Sequence, residues 1–260
     1  MIKLIATDMD GTFLNSHKQF DKEFIDVFNQ LKEKDIKFVV ASGNQFYRLY
    51  QKFIPMSSDM YFIAENGSYI ANGEKELTSH IIDKEHVLKA RHIIEKMPRI
   101  FMIMCGKKGA YILLENKDYD QEIRKYYCTF MYVNSFDEVD DDIMKIAIFD
   151  KERRIIEVLD EVESQLPKEV KVVTSGNEWM DIMNKDVNKG IGIQQLCELL
   201  DIKLEECAAF GDQMNDYEML SYVKYGYAMS NAVDDIKSIA YEVIGSHDDQ
   251  AVIQKIKEII

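Results

Sequence analysis

The sequence predicts an α/β fold, in which an α+β domain is inserted into a Rossmann-like core built on a doubly wound parallel sheet. Three observations predict it. Buried-strand patterns alternate with amphipathic helices at both ends of the chain, the middle follows another pattern, and glycine-bearing acidic turns end two strands. With 260 residues, the chain is long enough for a core domain and a smaller inserted one.

The first strand, helix and second strand form a βαβ pattern. The apolar run of residues 2–7 predicts a buried strand that ends at Asp8. A helix capped by Asp21 follows, because apolar residues recur at helical spacing: Phe20, Phe24, Val27, Phe28 and Leu31. The second strand is predicted at residues 36–41. This order favours a right-handed crossover between parallel strands.

A third strand at residues 60–64 leads into the turn Glu65-Asn66-Gly67 and a hairpin through Asn72-Gly73. The pattern then changes to helices interleaved with short strands. We expect the helices near 85–97, 118–127 and 151–165, and the strands near 100–104, 109–114, 143–149, 169–174 and 178–183.

Parallel α/β periodicity returns after Asn188. The predicted elements are a helix after that residue, a strand at 207–210, a helix from Asn215, a strand at 225–229 and a last helix to Ile260. We therefore expect a catalytic core made of residues 1–81 and 187–260, an inserted domain of residues 82–186, and hinges near Ile82 and Asp186.

Charge and composition exclude several classes of function. The formal net charge of -14, without a run of Lys and Arg, argues against nucleic acid or an acidic membrane surface as a partner. No apolar stretch reaches the length of a membrane span, and the first residues lack the pattern of a signal peptide. Four irregularly spaced cysteines indicate neither a zinc site nor a redox pair: Cys105, Cys128, Cys197 and Cys207. We expect a cytoplasmic protein.

Asp8 and Asp10 follow the first predicted strand and precede Gly11 and Thr12. In a doubly wound sheet, ligands bind beyond the carboxyl ends of the strands, where the strand order reverses. Asp8 therefore occupies the position expected of a catalytic residue. An acidic capped turn without catalytic function is the alternative, since Asp and Gly are common turn residues.

A second acidic cluster, Gly211 to Asp216, follows the strand at 207–210. If that strand neighbours the first one, the Asp8 and Asp212 carboxylates converge, and a hard cation is needed to keep both ionised. Oxygen ligands without a nearby histidine favour Mg²⁺. The histidines show no metal-ligand spacing: His17, His80, His86, His92 and His247.

Two further positions suit an anionic ligand. Ser42, with Gly43, ends the second strand and offers a hydroxyl where a helix begins, although this is also an ordinary helix start. Lys189 opens the helix after Asn188, where the helix dipole disfavours a cation, so either a functional role or simple solvation explains it. The glycines of Gly190-Ile191-Gly192 follow no strand and lack the third glycine of a dinucleotide-binding fingerprint.

Four motifs occur in the order and context of those of the haloacid dehalogenase (HAD) superfamily: Asp8 to Thr12, Ser42-Gly43, Lys189, and Gly211 to Asp216. The whole chain resembles the Cof-type branch, in which a large cap of the second kind is inserted between motifs two and three. Residues 40–47 and 64–67 are similar to those of a bacterial sugar phosphatase of this branch. That phosphatase shares Asn44, where most members have arginine.

The resemblance implies an aspartyl-phosphate mechanism. Asp8 is the expected nucleophile, and Asp10 the general acid and base. The expected ligands of Mg²⁺ are the carboxylates of Asp8 and Asp212 and the backbone carbonyl of Asp10. The remaining roles are phosphate binding by Ser42, Gly43, Lys189 and Asn215, and support of these groups by Thr12, Asn44 and Asp216.

We expect hydrolysis of a small phosphorylated metabolite, a sugar phosphate in particular. A phosphosugar mutase or phosphotransferase is one alternative, and a non-catalytic phospho-acceptor regulator is another. Asp10 favours turnover, because a pure acceptor needs no second acid-base group, and the inserted domain favours selection of small substrates. The sequence predicts neither the particular sugar nor the oligomeric state.

Overall fold

A computed structural model describes the backbone of residues 1–260 and all side chains except that of residue 175. The chain divides into two compact units, one of Met1–Thr78 with Asn188–Ile260 and the other of Ser79–Val187. The predicted hinge positions, Ile82 and Asp186, lie inside the second unit, near its two ends.

The elements follow in chain order. The strands are β1 (Leu4–Thr7), β2 (Lys37–Ala41), β3 (Tyr61–Ala64), β4 (Tyr69–Asn72), β5 (Lys75–Ser79), β6 (Ile100–Gly106), β7 (Ala110–Leu113), β8 (Phe130–Val133), β9 (Ile143–Asp150), β10 (Val170–Ser175), β11 (Trp179–Asn184), β12 (Cys207–Gly211), β13 (Tyr225–Ala228) and β14 (Glu242–Val243). The helices are α1 (Phe24–Glu33), α2 (Phe46–Lys52), α3 (Lys84–Ile94), α4 (Asp120–Ile123), α5 (Ile156–Glu163), α6 (Lys189–Leu200), α7 (Tyr217–Tyr222), α8 (Asp234–Ile239) and α9 (Ala251–Ile259).

The first unit contains an eight-stranded sheet in the order β14-β13-β12-β1-β2-β3-β4-β5. Neighbours from β14 to β3 pair in parallel, and β4 runs antiparallel to β3. In Met1–Thr78, successive strands extend the sheet to one side of β1. In Asn188–Ile260 they extend it to the other side. The strand order therefore reverses at β1, which confirms the predicted doubly wound core.

The strand register brings three predicted site positions to the same edge of the sheet. Thr7 pairs with Phe210 of β12 on one side and with Val40 of β2 on the other. The strands are parallel, so their carboxyl ends lie at one edge of the sheet. Asp8, Ser42 and Asp212 each follow within two residues of these paired positions.

The core under this edge is strongly aromatic. Phe13, from the turn after β1, packs edge-on against Phe24 of α1 with ring centroids 4.8 Å apart, and Phe38 of β2 also contacts Phe24. Phe24, Val27, Phe28 and Leu31 are buried, as their spacing predicts. Asp21 is not the helix cap, because α1 begins at Phe24; its carboxylate accepts a hydrogen bond from the Glu23 backbone N–H in the preceding turn.

The second unit is an α+β domain. Its six-stranded sheet has the order β10-β11-β9-β6-β7-β8, with antiparallel pairs except for the parallel pair of β7 and β8. Side chains of α3 and α5, among them Ala90 and Val162, share a buried cluster with Ile146 and Ile148 of β9. The helices therefore cover one face of this sheet.

Several predicted boundaries are wrong. The helix expected at 118–127 is only the short α4, preceded by a 3₁₀ turn at Leu114–Tyr119, and the chain after residue 229 forms α8, β14 and α9. The strand β8 had no prediction. Among the described residues, no helix is both long and apolar enough to cross a membrane.

Candidate active site

A buried ion triad lies at the carboxyl end of β1. The Lys189 ammonium donates to Oδ1 of Asp8 and to Oδ1 of Asp216, each at 2.6 Å. Lys189 and Asp216 are completely buried, and Asp8 is 7% exposed. Lys189 therefore occupies the first turn of α6 for an electrostatic reason, because its charge balances carboxylates from two other segments.

Helix α6 is fixed at its start by its own cap. The Asn188 side chain accepts a hydrogen bond from the Ile191 N–H at 2.8 Å. Gly190 and Gly192 allow close packing there: a Cβ at Gly190 would lie 2.6 Å from Cβ of Glu218, and one at Gly192 2.6 Å from Cγ2 of Ile63. Packing thus explains the two glycines that mimic part of a dinucleotide fingerprint.

Asp212 is oriented by groups from two loops. Thr12 donates its hydroxyl to Oδ1 of Asp212 at 2.7 Å, and the Gln213 amide donates to Oδ2 at 3.2 Å. Gly11 has φ +86°, and a Cβ on it would lie 2.5 Å from Oδ2 of Asp212. Only glycine therefore fits this turn without displacing the carboxylate.

Asp216 holds the loop that carries Asp212. Its Oδ2 accepts the backbone N–H groups of Asp212 at 2.9 Å and Gln213 at 3.1 Å, while its Oδ1 accepts from Lys189. Both of its oxygens are thus bound by cationic or N–H donors. Asp216 links the position of Lys189 to the position of Asp212.

The three carboxylates form a group that suits a hard cation. One oxygen from each of Asp8, Asp212 and Asp216 lies within 4.8 Å of the others. Three ionised carboxylates and the Lys189 ammonium sum to a charge of −2, which a divalent cation would balance. Oxygen donors of this kind match Mg²⁺ rather than a soft metal.

The pKa values of the site residues also indicate an excess of buried negative charge. Burial raises the pKa of Asp8 to about 8. The Lys189 ammonium acts to lower this pKa, and the Asp216 and Asp212 carboxylates act to raise it. Burial also raises the pKa of Asp212. Burial opposes the charge of Lys189, but the Asp216 and Asp8 carboxylates raise the pKa of Lys189 above its ordinary value, so this lysine stays charged.

Asp10 has different partners from Asp8. Its Oδ1 accepts from the Lys18 ammonium at 2.8 Å and its Oδ2 from the Asn44 amide at 2.9 Å. Burial acts to raise the pKa of Asp10, but hydrogen bonds from Lys18 and Asn44 and the charge of Arg48 lower it. The two aspartates of the first motif therefore have separate environments.

The Ser42 loop and the Asn215 loop meet through an asparagine. The buried Ser42 hydroxyl accepts from the Asn44 N–H at 3.2 Å, and the Ser42 carbonyl accepts from the Asn66 N–H at 3.0 Å. Asn215 donates to Oδ1 of Asn66 at 3.3 Å. A Cβ on Gly43 would lie 2.9 Å from the same oxygen, so Gly43 and Asn215 both lie against the Asn66 side chain, while Ser42 binds the Asn66 backbone.

The structure thus links the predicted residues into two connected sets. One set joins Asp8, Thr12, Lys189, Asp212 and Asp216, and the other joins Asp10, Ser42, Gly43, Asn44 and Asn215. Sequence reasoning missed Lys18, Asn66 and Gln213 as contacting residues. Asn66 had a signal, since its Asn-Gly turn follows a strand, whereas nothing distinguishes Lys18 from other lysines in the sequence.

Comparison with known proteins identifies the family. The sequence model of the family of haloacid dehalogenase-like hydrolases matches residues 5–256. The chain is 33% identical over 264 residues to 5-amino-6-(5-phospho-D-ribitylamino)uracil phosphatase YbjI of Escherichia coli (strain K12), covering 100% of this chain and 96% of that protein. It is 28% identical over 286 residues to phosphatase YwpJ of Bacillus subtilis (strain 168), and the match covers 100% of both.

Solved structures of other proteins share this fold over nearly the full length of the chain. A protein from Streptococcus mutans superposes with a TM-score of 0.88 at 31% identity, covering 99% of this chain and 98% of that chain. A haloacid dehalogenase-like hydrolase from Bacillus subtilis superposes with a TM-score of 0.82 at 27% identity, covering 100% of both chains. The family resemblance predicted from the four motifs is confirmed. The chain belongs to the haloacid dehalogenase-like hydrolases, and it is a phosphatase of that superfamily.

Proposed function

We propose that this phosphatase hydrolyses small phosphate monoesters, sugar phosphates in particular, in a Mg²⁺-dependent reaction with an aspartyl-phosphate intermediate on Asp8. The observation that carries the proposal is the buried group of Asp8, Lys189, Asp212 and Asp216 at the carboxyl end of β1. It combines a carboxylate nucleophile, a fixed cation and oxygen ligands for a metal at one point.

The metal would be held by the carboxylates of Asp8 and Asp212 and by the backbone carbonyl of Asp10. Bound Mg²⁺ would neutralise negative charge, so that an anionic nucleophile can approach an anionic phosphoryl group. We assign Asp216 a positioning role, because its oxygens already accept hydrogen bonds from Lys189 and from two backbone N–H groups.

Asp8 attacks the phosphorus, and the phosphoryl group is transferred to its carboxylate. Lys189 orients Asp8 through its 2.6 Å hydrogen bond and places a positive charge beside the reacting group. Ser42, Gly43 and Asn215 supply hydroxyl, backbone and amide donors for phosphoryl oxygens. The P–O bond to the leaving group breaks, and the leaving oxygen takes a proton.

Asp10 supplies that proton from its protonated form, which is the minor form because, although burial acts to raise its pKa, Lys18 and Asn44 lower it. Its ionised form later accepts a proton from the water that hydrolyses the aspartyl-phosphate. In the structure its carboxylate is held by Lys18 and Asn44. These contacts fix the orientation of the Asp10 carboxylate, and a single residue, Met9, separates Asp10 from the nucleophile. Thr12 supports the site by donating its hydroxyl to Asp212.

Two observations support a sugar phosphate as substrate. Asn44, which the Cof-type sugar phosphatase shares, lies beside the proposed acid-base residue and donates to its carboxylate at 2.9 Å. The relative YbjI is named for a compound with a phosphate on a ribityl group, which is a polyol chain. A polyhydroxylated leaving group suits a site rich in amide, hydroxyl and carboxylate groups.

We further propose that the second unit, Ser79–Val187, acts as a lid that selects the leaving group. The four motifs all belong to the first unit, which therefore contains the groups for phosphoryl transfer. A lid would exclude bulk water from the aspartyl-phosphate and add contacts to the substrate hydroxyls.

A screen of phosphate release tests the function. Wild-type protein is assayed with Mg²⁺ against phosphorylated sugars, polyols, nucleotides and cofactors, and again with excess chelator. We expect hydrolysis of one or more sugar or polyol phosphates and no activity with chelator. Preference for nucleotides would contradict the substrate class, and full activity in chelator would contradict the metal requirement.

A further inference from the structure

Three cations lie near the carboxylate of Asp10. Lys18 binds it directly at 2.8 Å, and the Lys52 ammonium donates to the Lys18 backbone carbonyl. Arg48 is close enough for its charge to act on Asp10 and on Lys52. Arg48 and Lys52 are four residues apart on α2 and therefore share one helix face. We call Lys18, Arg48 and Lys52 the cation cluster.

The cation cluster has more positive charge than its acidic neighbour can balance. Three cations face one carboxylate, in a chain whose net charge is -14. Among the described residues, the Arg48 guanidinium forms no ion pair or side-chain hydrogen bond. Burial lowers the pKa of Lys52, and the charges of Arg48 and Lys18 lower it further while Asp10 opposes them. Like charges held together in this way would be stabilised by an added anion.

This cluster is separate from the cation of the phosphoryl site. Lys189 is completely buried and is bound to Asp8 and Asp216, whereas the three cluster residues are exposed. The cluster instead lies beside Asp10, which in the proposed function protonates the leaving group. It therefore lies on the side from which the leaving group departs.

We propose that the cation cluster binds a second anionic group on the leaving group of the substrate. The substrate class is then a phosphate monoester of a small polyol or sugar that also bears a carboxylate or a second phosphate. Arg48 would bind such a group through its planar pair of N–H donors, and Lys52 would add a point charge. This inference rests on the proposed function, because the role of Asp10 defines the leaving-group side.

Binding measurements test the proposal without requiring turnover. The full chain with Asp8→Asn is titrated by calorimetry with 6-phosphogluconate against glucose 6-phosphate, and with fructose 1,6-bisphosphate against fructose 6-phosphate. The same titrations are made after adding Arg48→Gln and Lys52→Gln. The matched control adds Lys34→Gln and Lys224→Gln, two exposed lysines that precede β2 and β13 and so lie at the opposite ends of the parallel strands. Wild-type protein in chelator replaces Asp8→Asn if that variant does not fold.

We expect at least one of the two ligands with a second anionic group, 6-phosphogluconate or fructose 1,6-bisphosphate, to bind about tenfold or more tightly than its partner without that group. The preference should disappear in the Arg48→Gln, Lys52→Gln protein and persist in the control. Preference for the carboxylate or for the second phosphate identifies the anion. Absence of both preferences, or their survival without Arg48 and Lys52, would overturn the inference. Failure of the proposed function would be a different result, because wild-type protein would then release no phosphate in the screen.

Discussion

At the scale of single residues, the two aspartates of the first motif differ through their partners. Asp8 is buried beside Lys189, whereas Asp10 is bound by Lys18 and Asn44. We expect Asp8→Asn to remove turnover, and Asp10→Asn to lower kcat by roughly 10² to 10⁴-fold, the usual contribution of a general acid-base group. Steady-state kinetics with Mg²⁺ measures both. Unaltered turnover in Asp10→Asn would show that the acid-base assignment is wrong.

Lys189 should be essential for stability as well as for activity. Replacing it with methionine leaves the buried Asp8 and Asp216 without their cation, and breaking a buried pair in this way costs about 3–5 kcal/mol. Lys32→Met is the matched control, because Lys32 forms an exposed ion pair with Asp59, and such pairs contribute about 0–1 kcal/mol. Urea unfolding followed by circular dichroism compares the free energies of unfolding. Equal losses in the two variants would contradict the buried triad.

Residue types at strand ends could be predicted from the sequence, but most of their contacts could not. Asp8, Ser42 and Asp212 follow recognisable strands, so the sheet alone brings them together. The resemblance implied that Asp216 supports either Lys189 or the waters of the metal, and Asp216 does bind Lys189. The contacts of Asp216 with two backbone N–H groups depend on the path of the loop after β12 and had no sequence signal. The contact of Lys18 with Asp10 depends on a turn without a distinctive sequence signal.

At the scale of elements, the turn after β1 must leave space for Asp212. Gly11→Ala would place a Cβ 2.5 Å from Oδ2 of Asp212 and would strain a backbone with φ +86°. We expect the apparent affinity for Mg²⁺ to fall about 10 to 100-fold, as when groups that orient metal ligands are lost. Titration of activity, and of the thermal midpoint, with Mg²⁺ measures this affinity.

Gly176→Ala is the control for backbone strain alone. Gly176 has φ +65°, but its nearest contact for an added Cβ is the Glu178 side chain at 3.5 Å. It should lose stability by about 1–2 kcal/mol, as expected for a left-handed non-glycine residue, and keep its Mg²⁺ affinity. If both variants changed Mg²⁺ affinity equally, the position of Asp212 would not be the cause.

Elements with a clear hydrophobic pattern were predictable, and elements without one were not. Helix α1 and the first three strands follow clear hydrophobic patterns, and they lie close to their predicted ranges. The strands β8 and β14 have four and two residues, and their side chains are largely partly buried or exposed. Such strands form because a neighbouring strand offers hydrogen-bond partners. No local sequence pattern therefore predicts them.

At the scale of the whole molecule, the motifs and the proposed lid belong to different units. Replacing residues 79–187 with a short linker should strongly reduce activity on the preferred sugar phosphate. Activity on p-nitrophenyl phosphate should fall much less, because its leaving group needs little protonation and few contacts. The ratio of kcat/KM values for the two substrates measures the effect in a protein shown by circular dichroism to be folded. An unchanged ratio would place substrate selection in the first unit.

The central claim is that Asp8 carries the phosphoryl group during turnover, and trapping that group tests it most directly. The Asp10→Asn protein is mixed with Mg²⁺ and p-nitrophenyl phosphate, quenched in acid and digested, and the peptides are analysed by mass spectrometry. Because Asp10→Asn slows hydrolysis of the intermediate more than its formation from this activated ester, we predict one phosphoryl group on Asp8 and none in the Asp8→Asn, Asp10→Asn control. Phosphate release with Asp8 unmodified at every quench time, or a phosphoryl group on another residue, would contradict the account.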